Sequence, residues 1–288
     1  MRAPGGTGLL CRSLARVASH IFTTREWPLG STKAATPDDS HWADVAHAMN
    51  VEPPGLIRVR QVHGAAVFVR RSGDSMAGPK TGATVVDTEA DIIVSDNPAL
   101  ALAVQTADCV PLLVADRRTC AVAAAHAGWR GTAARVPVAA VEALAREFGS
   151  RPADLVAAVG PSIGACCYEV GDEVRERFER EGFSAEELVR WFLRHTRRTP
   201  RNPSMPGVSA VARAGHWYVD LWRATCEQLE AAGVPAGQIH LAGLCTASHR
   251  AALCSYRRDG SGAGRLAAVI RGRRPAARNP RIRIRTPE

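Results

Sequence analysis

Hydrophobic positions in this chain fall mostly into short runs and alternations, the pattern of strands, with a smaller set of helical faces between them. Residues 110–115 and 120–125 are two continuous apolar runs separated by the polar Asp116-Arg117-Arg118-Thr119. They read as two buried strands joined by a turn. Antiparallel pairing across that turn sets the start of the first run beside the end of the second. Cys109 and His126, which flank these runs, therefore meet at one end of a hairpin.

Residues 20–25 (HIFTTR) are β-prone and predict the first ordered strand. Residues 57–69 alternate, with Ile57, Val59, Gln61 and His63 on one face and Arg58, Arg60 and Val62 on the other. One strand is expected there, His63 sharing its apolar face and Gly64 marking a bulge or a close approach. Further strands are expected at 90–95, 99–105, 155–159, 239–242 and 265–270. A helix is expected within 37–50, its face formed by Trp42, Val45, Ala46 and Met49 and its cap by Asp38, Asp39 or Ser40. Residues 132–148 predict another, with Thr132 as cap and Pro137 either kinking it or marking its true start. Shorter helices are expected at 173–181, at 184–194 behind a Ser184–Glu187 capping box, and at 220–232 before Gly233. Residues 196–215, basic and rich in Pro and Gly, read as an exposed insertion, and 160–164 as a turn able to present N–H groups to an anion.

Strands outnumber helices and do not alternate with them, so the expected class is α+β, one domain of mixed, largely antiparallel sheets in a sandwich with flanking helices. Its boundaries are set at 18–271, after a loosely ordered extension over 1–17 and before an Arg-rich, disordered tail over 272–288.

Charge changes the picture only locally. The net charge is +9, and the last 18 residues carry +6 of it through seven Arg against Glu288. A solvated basic end accounts for that better than a specific nucleic-acid surface. No apolar run is long enough to cross a bilayer, and Leu9-Leu10-Cys11 is too short for a signal-peptide core. Eight cysteines, two of them adjacent and none in a C-x-x-C pair, point to reduced thiols and a cytoplasmic setting.

Thiolate and imidazole are the natural ligands of zinc, and a catalytic zinc site keeps three protein ligands. Cys109 and His126 supply two and His63 is the obvious third. The same residues admit two other readings, a Cys109 nucleophile with His126 as base, or a small buried thiol beside a core histidine.

The segments RQVHG (60–64), TADCVP (106–111), HAGWRG (126–131), GPSIGACCYEV (160–170), CT (245–246) and SYRRDG (255–260) occur in one order across nearly the whole domain. In that combination the chain resembles the YfiH-like, laccase-domain family. The resemblance implies phosphorolysis of adenosine, inosine and S-methyl-5'-thioadenosine, with adenosine deamination at the same site. It also implies a zinc site carried over to His63, Cys109 and His126, and less convincingly a copper-dependent phenol oxidase. Small purine nucleosides and phosphate are then the partners, for a monomer or small homo-oligomer. Arg25, Arg130 and Arg257 lie in or beside matched segments and are candidate phosphate cations. Asp108, next to Cys109, is a candidate orienter or acid/base. One departure stands out: where the family often continues its FTTR-like strand with Gly-Gly-Val-Ser, Arg25 is followed here by Glu26-Trp27-Pro28-Leu29. A cysteine-nucleophile hydrolase built on Cys109 and His126 is the alternative function.

Overall fold

Alternate side chains of the strand Val110–Asp116 enter two different cores, which is why the run is apolar at every position. Leu112 and Val114 join one cluster, with Val141 and Leu144 of the helix Val136–Phe148 and with Leu229 of the helix Leu221–Ala231. Leu113 and Ala115 join a second, with Ile57, Leu102, Val104 and Ile270 from a facing sheet. The fold is therefore a sandwich of two sheets with helices outside, and the computed structural model that gives it describes residues 1–3, 5–30, 40–74 and 84–273.

The larger sheet has seven strands in the order Arg2–Ala3, Gly6–Leu9, Ala18–Thr23, Leu266–Gly272, Ala101–Thr106, Leu56–Arg60 and Thr84–Glu89. The second has six, in the order Ile239–Leu241, Leu155–Val159, Val110–Asp116, Val122–Ala127, Ile92–Ser95 and Val67–Arg70. A small third sheet joins Glu169–Gly171, His216–Val219 and Phe192–Leu193. Most pairings are antiparallel, and the parallel ones link Leu56–Arg60 to both its neighbours, Val67–Arg70 to Ile92–Ser95 and Leu155–Val159 to Ile239–Leu241. The outer face of the larger sheet is covered by the helix Ser40–Ala48, which buries Trp42, Val45 and Ala46 against Leu56, Ala101 and Val269. The α+β sandwich expected from the pattern is thus the observed class. Among the described residues no helix is long and apolar enough to cross a membrane.

Several local expectations are corrected. Residues 57–69 are not one strand: Leu56–Arg60 lies in the larger sheet and Val67–Arg70 in the other, with a turn between them. The apolar alternation continues through that turn by coincidence of residue type, so His63 sits in a turn and not on a strand face. Within the extension expected over 1–17, Gly8 and Leu9 pair with Thr23 and Phe22, and Leu14 is fully buried. A β-carbon on Gly8 would lie 2.3 Å from Ile21 Cδ1, an approach that only glycine permits. The departure segment explains this docking, because the Trp27 indole N–H donates to the Thr7 carbonyl and the Glu26 carboxylate accepts from the Thr7 N–H.

In place of one helix over 132–148 there are two helical pieces, Trp129–Ala133 and Val136–Phe148, separated by Ala134 and by Arg135 at φ 58°. Pro137 marks the start of the longer piece rather than a kink, and Thr132 bonds inside the shorter one, its hydroxyl donating to the Gly128 carbonyl. The helix behind the Ser184 capping box ends at Trp191. At the other end of the domain Gly272 still belongs to a strand, and the Arg273 guanidinium donates to Ser19 and Ala15. The remainder of the basic tail, and the Asp38 and Asp39 caps, lie outside the described residues.

Candidate metal centre

The hairpin forms as its pattern predicts, with Ala127 opposite Val110 and His126 opposite Pro111. Cys109 immediately precedes that last rung, so its thiol and the His126 imidazole share one end of the sheet. Gly128 lets them close up: a β-carbon there would lie 2.7 Å from Cys109 Sγ. The turn between Leu56–Arg60 and Val67–Arg70 brings His63 over the same end, its ring edge-on to that of His126 with centroids 4.8 Å apart. One donor atom from each of His63, Cys109 and His126 lies within 4.8 Å of the others. Two imidazoles and a thiolate at this spacing suit zinc, whose bonds to nitrogen and sulfur are about 2.0–2.3 Å long, and they leave a coordination position open.

The residue that builds this arrangement is Asp91, fully buried at the head of the strand Ile92–Ser95. Its carboxylate accepts the backbone N–H groups of Val62, His63 and Gly64 at 3.2, 3.0 and 2.7 Å. These three bonds stop the chain from extending and hold His63 at φ 64°, in the left-handed region. Asp91 Oδ1 also lies 2.8 Å from His126 Nδ1, and the His126 N–H donates to the Asp91 carbonyl. Nδ1 is thereby committed to the carboxylate and Nε2 is left to face the thiol, the carboxylate–histidine pairing that orients metal ligands. The sequence reading passed over Asp91. Its only signal there was a single acid opening an otherwise apolar strand.

The charges in this pocket reinforce each other. Burial opposes ionisation of the Cys109 thiol, but the adjacent His126 and His63 imidazoles overcome it and hold its pKa at about 6. Burial likewise opposes a proton on His126, and the Cys109 thiolate and Asp91 carboxylate raise its pKa to about 9. Burial also acts against ionised Asp91, yet the bonds from His126 and from the turn keep its carboxyl below the usual range. Each group thus favours the charged form of the other, the thiolate at Cys109 and the imidazolium at His126.

The three ligands open into a cleft of about 770 Å³. Arg130, Arg257 and Arg265 line it, with Arg60, which pairs with Glu89 at 2.9 Å, and with Tyr168, Tyr256 and Trp129 as aromatic walls. Arg130 lies over the Trp129 ring at 4.2 Å and Arg257 over the Tyr168 ring at 4.9 Å. Asp108 also lines the cleft, nearly buried and at φ 93°, its oxygens accepting from the Thr246 hydroxyl at 2.5 Å and the Arg257 N–H at 2.6 Å. Burial pushes its pKa up, with those bonds acting against the rise. Asp108 therefore ties together the segments that carry Cys109, Thr246 and Arg257. Arg25 does not line the cleft; its guanidinium bonds the Arg250 carbonyl and its N–H the Ala252 carbonyl. Arg60, Trp129, Tyr168 and Tyr256 lie in the quoted segments without having been singled out, and Arg265 lies outside them, so only the folded chain gathers these side chains at one cleft.

Residues 38–273 match the family described as multi-copper polyphenol oxidoreductase laccase. A purine nucleoside phosphorylase of Bacteroides thetaiotaomicron is 38% identical over 62% of this chain, which spans 60% of that protein. Adenosine deaminase RL5, from an unknown prokaryotic organism, is 33% identical over 77% of this chain and 76% of its own. The crystal structure of the hypothetical protein YfiH of Bacillus licheniformis superposes with a TM-score of 0.75 at 28% identity, covering 93% of this chain and 97% of that one.

Proposed function

The chain belongs to the multi-copper polyphenol oxidoreductase laccase family, and from that premise we propose that it is a zinc-dependent purine nucleoside enzyme. It cleaves purine nucleosides with phosphate, taking adenosine, inosine and S-methyl-5'-thioadenosine, and it deaminates adenosine at the same site. The observation that carries this reading is the cleft itself, where a His/Cys/His donor set, several guanidinium groups and aromatic walls converge on one space. The names of the phosphorylase and deaminase relatives support the same substrate class.

His63, Cys109 and His126 would hold the zinc, and when bound it supplies a Lewis acid that polarises the group to be attacked or released. The donor set alone also suits copper. Neither proposed reaction transfers electrons, so this reading takes the redox-inert zinc ahead of copper. Arg130 and Arg257 bind phosphate and neutralise it as it attacks C1′ of the ribose, while the bond from C1′ to the base nitrogen breaks. Tyr168, Tyr256 and Trp129 give the purine flat apolar faces and exclude water from it. Asp108 acts as a positioning residue: with both oxygens engaged, it fixes the backbone of Arg257 and the Thr246 hydroxyl rather than moving a proton. Asp91 keeps the proton of His126 on Nδ1.

The thiolate–imidazolium pair also favours one second reading, a hydrolase with Cys109 as nucleophile. The test is direct. Purified protein is analysed for metal and incubated with adenosine or inosine, with and without phosphate. About one zinc per chain, phosphate-dependent release of base and ribose 1-phosphate, and ammonia from adenosine are expected. Protein that stays metal-free in excess zinc, or base release that ignores phosphate, would overturn the reading.

A further inference from the structure

Next to Thr246, which bonds Asp108, the Cys245 side chain turns away to meet two other thiols. The turn Gly164 to Tyr168, closed by the N–H groups of Cys167 and Tyr168 on the Gly164 carbonyl, presents Cys166 and Cys167. A bridge between Ser162 and Cys245 brings the second segment alongside. The sulfurs of Cys166, Cys167 and Cys245 all lie within 4.8 Å of one another, and the three residues are 1%, 1% and 0% exposed. Around them are Ile163, Ala247, Trp222 and Met205. No disulfide joins them.

Buried thiols often serve as small hydrophobes, but two features here point to a ligand. The Gly164 N–H donates to Cys245 Sγ at 3.4 Å and the Met205 N–H to Cys167 Sγ at 3.2 Å, so backbone donors are aimed at two of the sulfurs, and the Cys167 thiol in turn donates to the Pro203 carbonyl at 3.8 Å. The Ser248 hydroxyl lies 3.5 and 3.6 Å from Cys166 and Cys167, another polar group turned toward an otherwise apolar pocket.

We infer that Cys166, Cys167 and Cys245 form a second, all-sulfur metal site that takes a thiophilic closed-shell cation, Cu(I) ahead of Zn(II). Sulfur-only donors select soft ions. Structural zinc closes its sphere with four protein ligands, whereas three thiolates complete a trigonal Cu(I) site. On binding, the protons of the three thiols pass to solvent and three Cu–S bonds form, with no change of oxidation state. The burial that stabilises Cu(I) also makes the site structural rather than oxidative.

The site gives the basic insertion a role. Asn202 accepts from the Cys245 N–H and donates to the Gly243 carbonyl, and the Pro203 carbonyl accepts from the Ser248 hydroxyl. With the Met205 N–H on Cys167, these contacts make residues 202–205 a cover over the three thiols.

The test uses the whole chain, reduced and stripped of metal, loaded with one equivalent of zinc and titrated anaerobically with Cu(I) against a Cu(I)-selective chelator. One retained Cu(I) per chain is expected, with a sulfur-only shell by X-ray absorption at the copper edge. Loss of an outer partner of a metal ligand costs about 10–100-fold in affinity, so Cys245→Ser, which removes a ligand, should lose at least that much. The zinc at His63, Cys109 and His126 should stay in that variant. If the variant does not fold, the wild-type spectrum decides alone. Imidazole in the copper shell, undiminished Cu(I) retention in Cys245→Ser, or uptake of a second zinc with copper refused would each overturn the assignment.

Discussion

Asp91 Oδ1 and His126 Nδ1 lie 2.8 Å apart, and the same carboxylate holds the turn that carries His63. One side chain thus positions two of the three candidate ligands, one in a turn that links the two sheets and one on a strand of the second sheet. An Asp91→Asn variant keeps the size but cannot accept four N–H groups, because its amide nitrogen is itself a donor. Each donor left without a partner costs about 1–3 kcal/mol. The expected outcome is a lower melting temperature together with a metal affinity reduced about 10–100-fold. Metal titration of the refolded variant checks it, and wild-type affinity would show that the turn holds His63 without the carboxylate.

The sequence disclosed the hairpin and hid Asp91 for related physical reasons. Strands buried on both faces, such as Val110–Asp116, print a continuous apolar run, and that run fixed where Cys109 and His126 meet. The turn at His63 leaves no such trace, since it depends on a carboxylate 28 residues away in sequence. Local alternation there imitated a strand and pointed His63 at the right neighbourhood by the wrong route. The N-terminal hairpin was missed similarly, because its small Gly and Thr residues dock on Ile21 and Trp27 rather than forming an apolar run of their own.

The arginines divide by position. Arg130 and Arg257, whose guanidinium also donates to the Glu169 carbonyl, line the cleft, while Arg25 lies outside it and bonds the Arg250 carbonyl. Replacing either of the first two by Ala should raise the KM for phosphate by about 10–100-fold, the worth of one charge-assisted hydrogen bond of about 1.5–3 kcal/mol. Deamination consumes no phosphate and should change far less. Arg25→Ala should leave the phosphate KM alone. Steady-state kinetics in both assays checks the split, and equal losses in the two reactions would assign these arginines to the nucleoside instead.

Stability should fall in mild acid through a residue remote from the cleft. His20 is buried, and the Cys11 N–H donates to its Nε2 at 2.8 Å, so it is neutral in the fold. Burial lowers its pKa from 6.5 to about 4. Between those values the unfolded chain binds a proton that the folded chain does not, so stability is complete above pH 6.5 and declines as pH drops toward 4. The difference amounts to about 2 kcal/mol between pH 7 and 5. A His20→Gln variant can still accept from Cys11 but cannot titrate. Denaturant midpoints across that range should show a pH slope in the wild type that is smaller in the variant, and parallel slopes would place the acid sensitivity elsewhere.

The last prediction separates metal from nucleophile, the two roles that the Cys109–His126 pair permits. With zinc as catalyst, His63, Cys109 and His126 are equivalent in one respect, since each supplies a donor to the same ion. His63→Ala, Cys109→Ala and His126→Ala should each lose bound zinc and lose phosphorolysis and deamination together. If Cys109 instead attacks substrate with His126 as its base, His63 contributes only an exposed ring edge-on to His126. His63→Ala should then be mild, and Cys109→Ala should keep any metal. The fold should survive all three changes, because the residues sit at strand ends and in a turn, outside the apolar clusters that join the layers. Core truncations in those clusters, such as Leu113→Ala, cost about 2–5 kcal/mol, and the ligand variants should cost less. Their melting temperatures should drop mainly through lost metal linkage, so added zinc should raise the wild-type value and not theirs. Thermal melts with and without zinc, alongside both assays, give the answer. A His63→Ala protein with near-normal turnover decides against the zinc mechanism.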